Sequence, residues 1–119
     1  MIKFEELLGK VIVAILMDNN EIIFTIEDGT SFKLYHEQDC CEIVYIESID
    51  GDLNDLIGYP LLQAEKSTNS EDTMDKIKNP ESFTWTFYKL ATIKGYVSIR
   101  WLGESNGYYS ESVDFKQII

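Results

Sequence analysis

A chain of 119 residues, 45% hydrophobic and 13% aromatic, can form one domain with a real core, and its aromatic content excludes a disordered polymer. Its 21 acids against 10 bases give a net charge of −11. That field repels nucleic acid and anionic lipid at long range and favours basic partners, although the same charge also serves plain solubility. The longest wholly apolar run, residues 11–17, has seven residues against the roughly 20 a membrane helix requires. No basic stretch precedes an apolar one, so a secretory signal is not expected and a cytoplasmic location is.

The first residues, KFEELLGK, read as one amphipathic helical turn ending at Gly9. VIVAILM follows as a short β-branched run, expected to be a buried strand. Asp18-Asn19-Asn20 supplies turn chemistry, and EIIFTIEDGTSFKLY reads as a hairpin. A two-residue Asp28-Gly29 loop would scatter its apolar residues over both faces. A three-residue loop, Glu27-Asp28-Gly29, sets Phe24 opposite Phe32 and Ile22 opposite Leu34, with Gly29 at positive φ, and burial favours that register.

GDLNDLIG reads as a short helix capped by Asp52 and closed by Gly58. PLLQAEKST is expected to be an edge strand opened by Pro60. Residues 67–81 are polar and poor in large apolar side chains, which predicts a mobile surface loop. FTWTFYKLATIKGYV is predicted to be a hairpin turning at Lys94-Gly95. A second three-residue loop, Ser105-Asn106-Gly107, would pair Trp101 with Glu111, Ile99 with Val113 and Val97 with Phe115. The expected fold is a single α+β domain over residues 1–119. It is mostly an antiparallel sheet of about six to seven strands built from hairpins, with two short helices.

YHEQDCCE, residues 35–42, holds the single histidine and both cysteines. A structural zinc site needs four ligands, and no second CxxC or HxxxH exists to complete His36, Cys40 and Cys41. A cysteine nucleophile needs its thiolate stabilised, whereas this stretch is the most acidic of the chain. Adjacent cysteines are poorly placed for an unstrained disulfide, which predicts a reduced thiol pair. The segment is therefore expected to be a turn in which one cysteine fills a small core site and His36 donates to a carbonyl. Asp50, Asp52 and Asp55 resemble a calcium loop only superficially, because position twelve from Asp50 is Leu61. No cofactor, bound metal or catalytic residue is expected.

Charge placement carries more information. Between Tyr35 and Leu56 stand seven acids (Glu37, Asp39, Glu42, Glu47, Asp50, Asp52 and Asp55) and no lysine or arginine. Between Phe83 and Leu102 stand Lys89, Lys94 and Arg100 among six aromatics, with no acid. In that window Trp85, Phe87 and Trp101 are expected in the core, with Tyr88 and Arg100 on the other face. Tyr88, Lys89 and Arg100 thus form an alternative ligand-binding set able to hold a nucleotide by stacking and charge. Tyr108 and Tyr109, at a hairpin tip, are candidate interface anchors.

The strings YHEQDCCE, GDLNDLIG, FTWTFYKLATIKGYVSIRW and GESNGYYSESVDF resemble a family of small proteins found in bacteriophages, prophages and their bacterial hosts, a domain of unknown function. The resemblance spans essentially the whole chain and transfers no active-site residue. It implies a phage-associated accessory factor acting on a host defence or regulatory system. Together with the charge, it predicts a non-enzymatic acidic binding protein. Such a protein would occupy a basic surface of a host protein through the seven acids and the two tyrosines, without binding nucleic acid or membrane directly. The alternatives are a small-ligand binder, such as a nucleotide-signal sponge, and a metal-dependent domain or enzyme.

Overall fold

The computed structural model describes residues 2–71, 82–106 and 110–119. Eight strands appear among them: β1 (Ile12–Met17), β2 (Glu21–Ile26), β3 (Ser31–Tyr35), β4 (Ile43–Asp50), β5 (Gln63–Glu71), β6 (Ser82–Thr92), β7 (Gly95–Ser105) and β8 (Asp114–Gln117). They form two antiparallel four-stranded sheets, ordered β1-β2-β3-β8 and β4-β7-β6-β5. The expected single sheet of six to seven strands is thus corrected to eight strands in two sheets. The two expected helices are single 3-10 turns, Phe4–Leu7 and Leu53–Leu56. Each is four residues long, too short to propagate an α-helix.

The first hairpin follows the register that burial favours, with Phe24 opposite Phe32, Ile22 opposite Leu34, and Gly29 at φ 94°. The β6–β7 hairpin turns at Ile93-Lys94, one residue before the expected position, with Thr92 opposite Gly95. β5 is an edge strand as expected, but it continues to Glu71. Residues 67–71, expected in a mobile loop, therefore belong to its ladder with β6, where Ser67 pairs with Phe87 and Glu71 with Phe83. The rest of that expected loop, 72–81, lies outside the described residues.

Two readings of the strands are overturned. β1 is an edge strand, with Val13 47% and Leu16 68% exposed, so its lack of charge does not signal two-sided burial. β7 and β8 are not a hairpin. Both edges of β7 are already taken by β4 and β6, so the chain after Ser105 crosses to the other sheet, where β8 pairs with β3.

The inner faces of the sheets share one core. Ile22, Phe24, Ile26, Phe32 and Leu34 from the first meet Val44, Tyr88, Leu90, Val97, Ile99 and Trp101 from the second. Phe4 and Leu7 of the first 3-10 turn and Leu56 of the second add to it. Near Ile12 the first sheet is tied to the segment between the second 3-10 turn and β5 by bridges from Ile12 to Ile57 and from Val11 to Pro60. The Ile46 amide donates to Asn19 O at 3.0 Å. No helix among the described residues is long and apolar enough to cross a membrane.

Candidate functional site

The acidic window folds along β4, an edge strand of the second sheet. A strand rises roughly 3.3 Å per residue, so its eight residues separate their two ends by about 25 Å. Glu37 and Asp39 lie in the turn before it, and Asp50 and Asp52 at its far end; all four are exposed. None of them is in an ion pair with a described residue. Asp52 also caps the second 3-10 turn, its Oδ1 accepting the Asn54 amide at 2.9 Å.

The remaining three acids are engaged by the fold. Glu47 stands where the β4–β7 register shifts, and its Oε2 accepts from Arg100 Nε at 2.6 Å and Nη2 at 2.5 Å. Asp55 is half-buried against Gly95, and its carbonyl accepts the Thr92 hydroxyl. Glu42 is only 2% exposed. Expecting Glu42, Glu47 and Asp55 at a partner interface is therefore corrected for Glu42, whose carboxylate is turned inward, and weakened for the other two.

Glu42 is the centre of the YHEQDCCE turn. Its carboxylate accepts the Asp39 amide at 3.0 Å, the Cys40 amide at 2.9 Å, Gln38 Nε2 at 3.2 Å and His36 Nε2 at 2.7 Å. Burial pushes its pKa up, but the Cys40 and Asp39 amides and His36 outweigh burial and hold it at about 2. The His36 side chain is 4% exposed, and its Nδ1 lies 2.7 Å from Ser112 O. A carbonyl and a carboxylate both accept, so both contacts are satisfied only when each ring nitrogen carries a proton. The expected donation to a carbonyl is present, and it pins the turn to the crossover 76 residues away.

Cys40 and Cys41 correct the expectation of free thiols and of one small core cysteine. Both are exposed, and their sulfurs are joined in a vicinal disulfide. A bridge between neighbours closes almost no chain and so adds little to stability through loop entropy. His36 is committed to Ser112 and Glu42, and the sulfurs to each other. Among the described residues no group of three His, Cys, Asp or Glu is placed to hold a metal.

The aromatic window also departs from expectation. Thr86, Tyr88 and Leu90 of β6 face inward opposite Trp101, Ile99 and Val97, whereas Trp85, Phe87 and Lys89 face outward opposite Leu102, Arg100 and Ser98. The two-residue turn fixes this parity, so Tyr88 is a core residue and Trp85 and Phe87 lie on the outer face. Arg100 stacks over Trp85 at 5.1 Å from the ring centre while bound to Glu47. Lys89 and Arg100 thus share a face, and Tyr88 points away from it. Tyr108 and Tyr109 lie outside the described residues.

Sequence reasoning missed Gln38, which donates to Cys40 O at 3.1 Å and Glu42 O at 2.8 Å. It also missed buried Glu111, which accepts from Thr84 Oγ1 at 2.6 Å and from Ser105 Oγ. A Gln-x-x-x-Glu spacing within one turn is a weak signal for the first. Glu111 gives none, because it lies between β7 and β8 and its partners Thr84 and Ser105 come from β6 and β7.

The family comparison bears on residues 5–115, which match the model of DUF7448, a domain of unknown function; the chain belongs to that family. No curated protein and no solved structure matches it.

Proposed function

We propose that this member of the DUF7448 family is a non-enzymatic binding protein that engages a basic surface of another protein. The observation carrying this reading is that Glu37, Asp39, Asp50 and Asp52 are exposed and without ion-pair partners among the described residues, at the two ends of one edge strand. The two pairs stand about 25 Å apart, well beyond a Debye length of about 8 Å at physiological salt, so each acts as a separate contact point. A partner able to use both is extended and basic over that length, as nucleic-acid-binding surfaces are. In the phage or prophage setting implied by the sequence resemblance, the partner is a host protein in the cytoplasm, and occupying its basic surface inhibits it.

The test is capture of partners by the tagged protein from bacterial lysate at about 0.1 M and about 1 M salt, where the Debye length falls from about 10 to about 3 Å. Expected is a basic protein retained at low salt, released at high salt and lost with the combined variant Glu37→Gln, Asp39→Asn, Asp50→Asn and Asp52→Asn. Retention that ignores both salt and the variant refutes the reading. A small-ligand site at Lys89 and Arg100 draws less support, because Glu47 already neutralises Arg100 and Tyr88 faces the core.

A further inference from the structure

β5 and β8 are free edges of their sheets, and the first 3-10 turn lies across the seam between them. A pocket of about 260 Å³ sits there, lined by Ile2, Lys3, Phe4, Glu5, Lys66 and Phe115. Its floor is aromatic. Phe4 stands edge-on to Phe115 with centroids 5.4 Å apart, and packs on Tyr88 at 4.6 Å. Its rim is cationic, for Lys3 and Lys66 face a single acid, Glu5, and neither lysine is ion-paired with a described residue.

Beneath this rim lies an independent feature. Lys66 is directly opposite Tyr88 in the β5–β6 ladder, on the same face, where cross-strand Cβ atoms stand roughly 5 Å apart. Tyr88 is fully buried, and its hydroxyl has no hydrogen-bond partner among the described residues. Its ring packs on Phe4 of the first 3-10 turn, and burial, with the Asp114 and Glu5 carboxylates, pushes the phenol's pKa up. A buried donor without an acceptor costs stability and is uncommon in native cores. An inward-pointing lysine can by itself blunt an edge strand. That role accounts for Lys66 but not for the orphaned hydroxyl beside it.

We propose that this seam pocket binds a small amphipathic carboxylate, whose apolar body rests on Phe4 and Phe115. Lys66 and Lys3 take its anionic head. The volume is below the 300–1,000 Å³ typical of sites for drug-sized ligands, which suits a single aromatic or branched acid rather than a nucleotide. This site is separate from the acidic ends of β4, so either proposal stands without the other.

The test is titration of the whole protein with 1-naphthoate and with its neutral analogue 1-naphthalenemethanol, followed through backbone amide resonances. Expected are saturable shifts at residues 2–5, 66 and 115, with a Kd of about 1 mM or tighter for a ligand of this size. The neutral analogue and Lys66→Gln each weaken binding by about fivefold or more. Lys94→Gln, at the distant β6–β7 turn, leaves affinity unchanged. Shifts that fail to saturate, shifts scattered over the surface, equal affinity for acid and alcohol, or Lys66→Gln binding as the parent does would each overturn the proposal.

Discussion

Replacing Tyr88 by phenylalanine is expected to make the protein more stable. The ring is fully buried and packs on Phe4 at 4.6 Å, contacts that phenylalanine keeps. What it loses is a hydroxyl with no partner among the described residues. A buried polar group left unpaired costs about 1–3 kcal/mol, and removing one oxygen leaves a small void that offsets part of that. The net gain is about 1 kcal/mol, or roughly 4 °C in Tm for a domain of this size.

pH sharpens the test. The phenol's pKa in the folded state is raised above its ordinary 10.0 by burial. The neutral form is therefore favoured on folding, so its stability contribution is whole below pH 10 and declines as pH rises beyond it. The Tyr88→Phe protein lacks that decline, so its advantage over the parent widens in the alkaline range. Urea unfolding at neutral pH and at about pH 10.5 measures both effects. A variant less stable than the parent by more than about 0.5 kcal/mol would show that the hydroxyl is satisfied in solution, and would refute the reasoning.

Glu42, held at about 2 against an ordinary 4.5, has a depressed pKa, so its contribution is present above pH 4.5 and lost as pH falls from there toward 2. Glu42→Gln is accordingly expected to lower the urea midpoint at pH 7, with the gap to the parent closing on acidification; a constant gap would contradict the assignment. At Gly51, φ is 103° and an added Cβ would stand 2.4 Å from Tyr96 O, so Gly51→Ala is expected to cost about 3 kcal/mol or more. Gly29→Ala, with φ 94° and nothing within 4 Å, is expected to cost only about 1–2 kcal/mol by the same denaturation assay. In the capture assay, Glu47→Gln is expected to leave partner retention near the parent level, because Arg100 already occupies that carboxylate. Asp50→Asn with Asp52→Asn is expected to reduce it, and the reverse order would place the contact elsewhere.

Local order was legible where one segment supplied both sides of an interaction. The Glu27-Asp28-Gly29 loop, the Phe24–Phe32 pairing and the Asp52 cap all follow from neighbours in sequence. Misreadings arose wherever a third element decided the outcome. β7 and β8 looked like a hairpin because their apolar residues match in register, but β4, far upstream, takes the edge that β8 would have used. β1 looked buried because hydropathy does not distinguish an edge strand from a central one. Tyr88 lies on the face opposite to the expected one because alternation gives two sets of residues without saying which set meets the other sheet.

The candidate site shows the same limit in its charge. Seven acids between Tyr35 and Leu56 read as one belt only if the segment is compact. As a strand it separates Glu37 and Asp39 from Asp50 and Asp52 by about 25 Å, with Glu47 neutralised between them and Glu42 turned inward. Two contact points with independent screening predict how affinity divides. Neutralising either pair alone should weaken binding and reduce its salt dependence, and the losses in binding free energy should add, as for sites with no shared partners. A single compact belt would make the first pair removed costlier than the second. A double-mutant cycle across the two ends of β4, read at low salt, therefore distinguishes an extended basic partner from a small one docked at either end. Strong coupling between the ends would exclude the two-point arrangement.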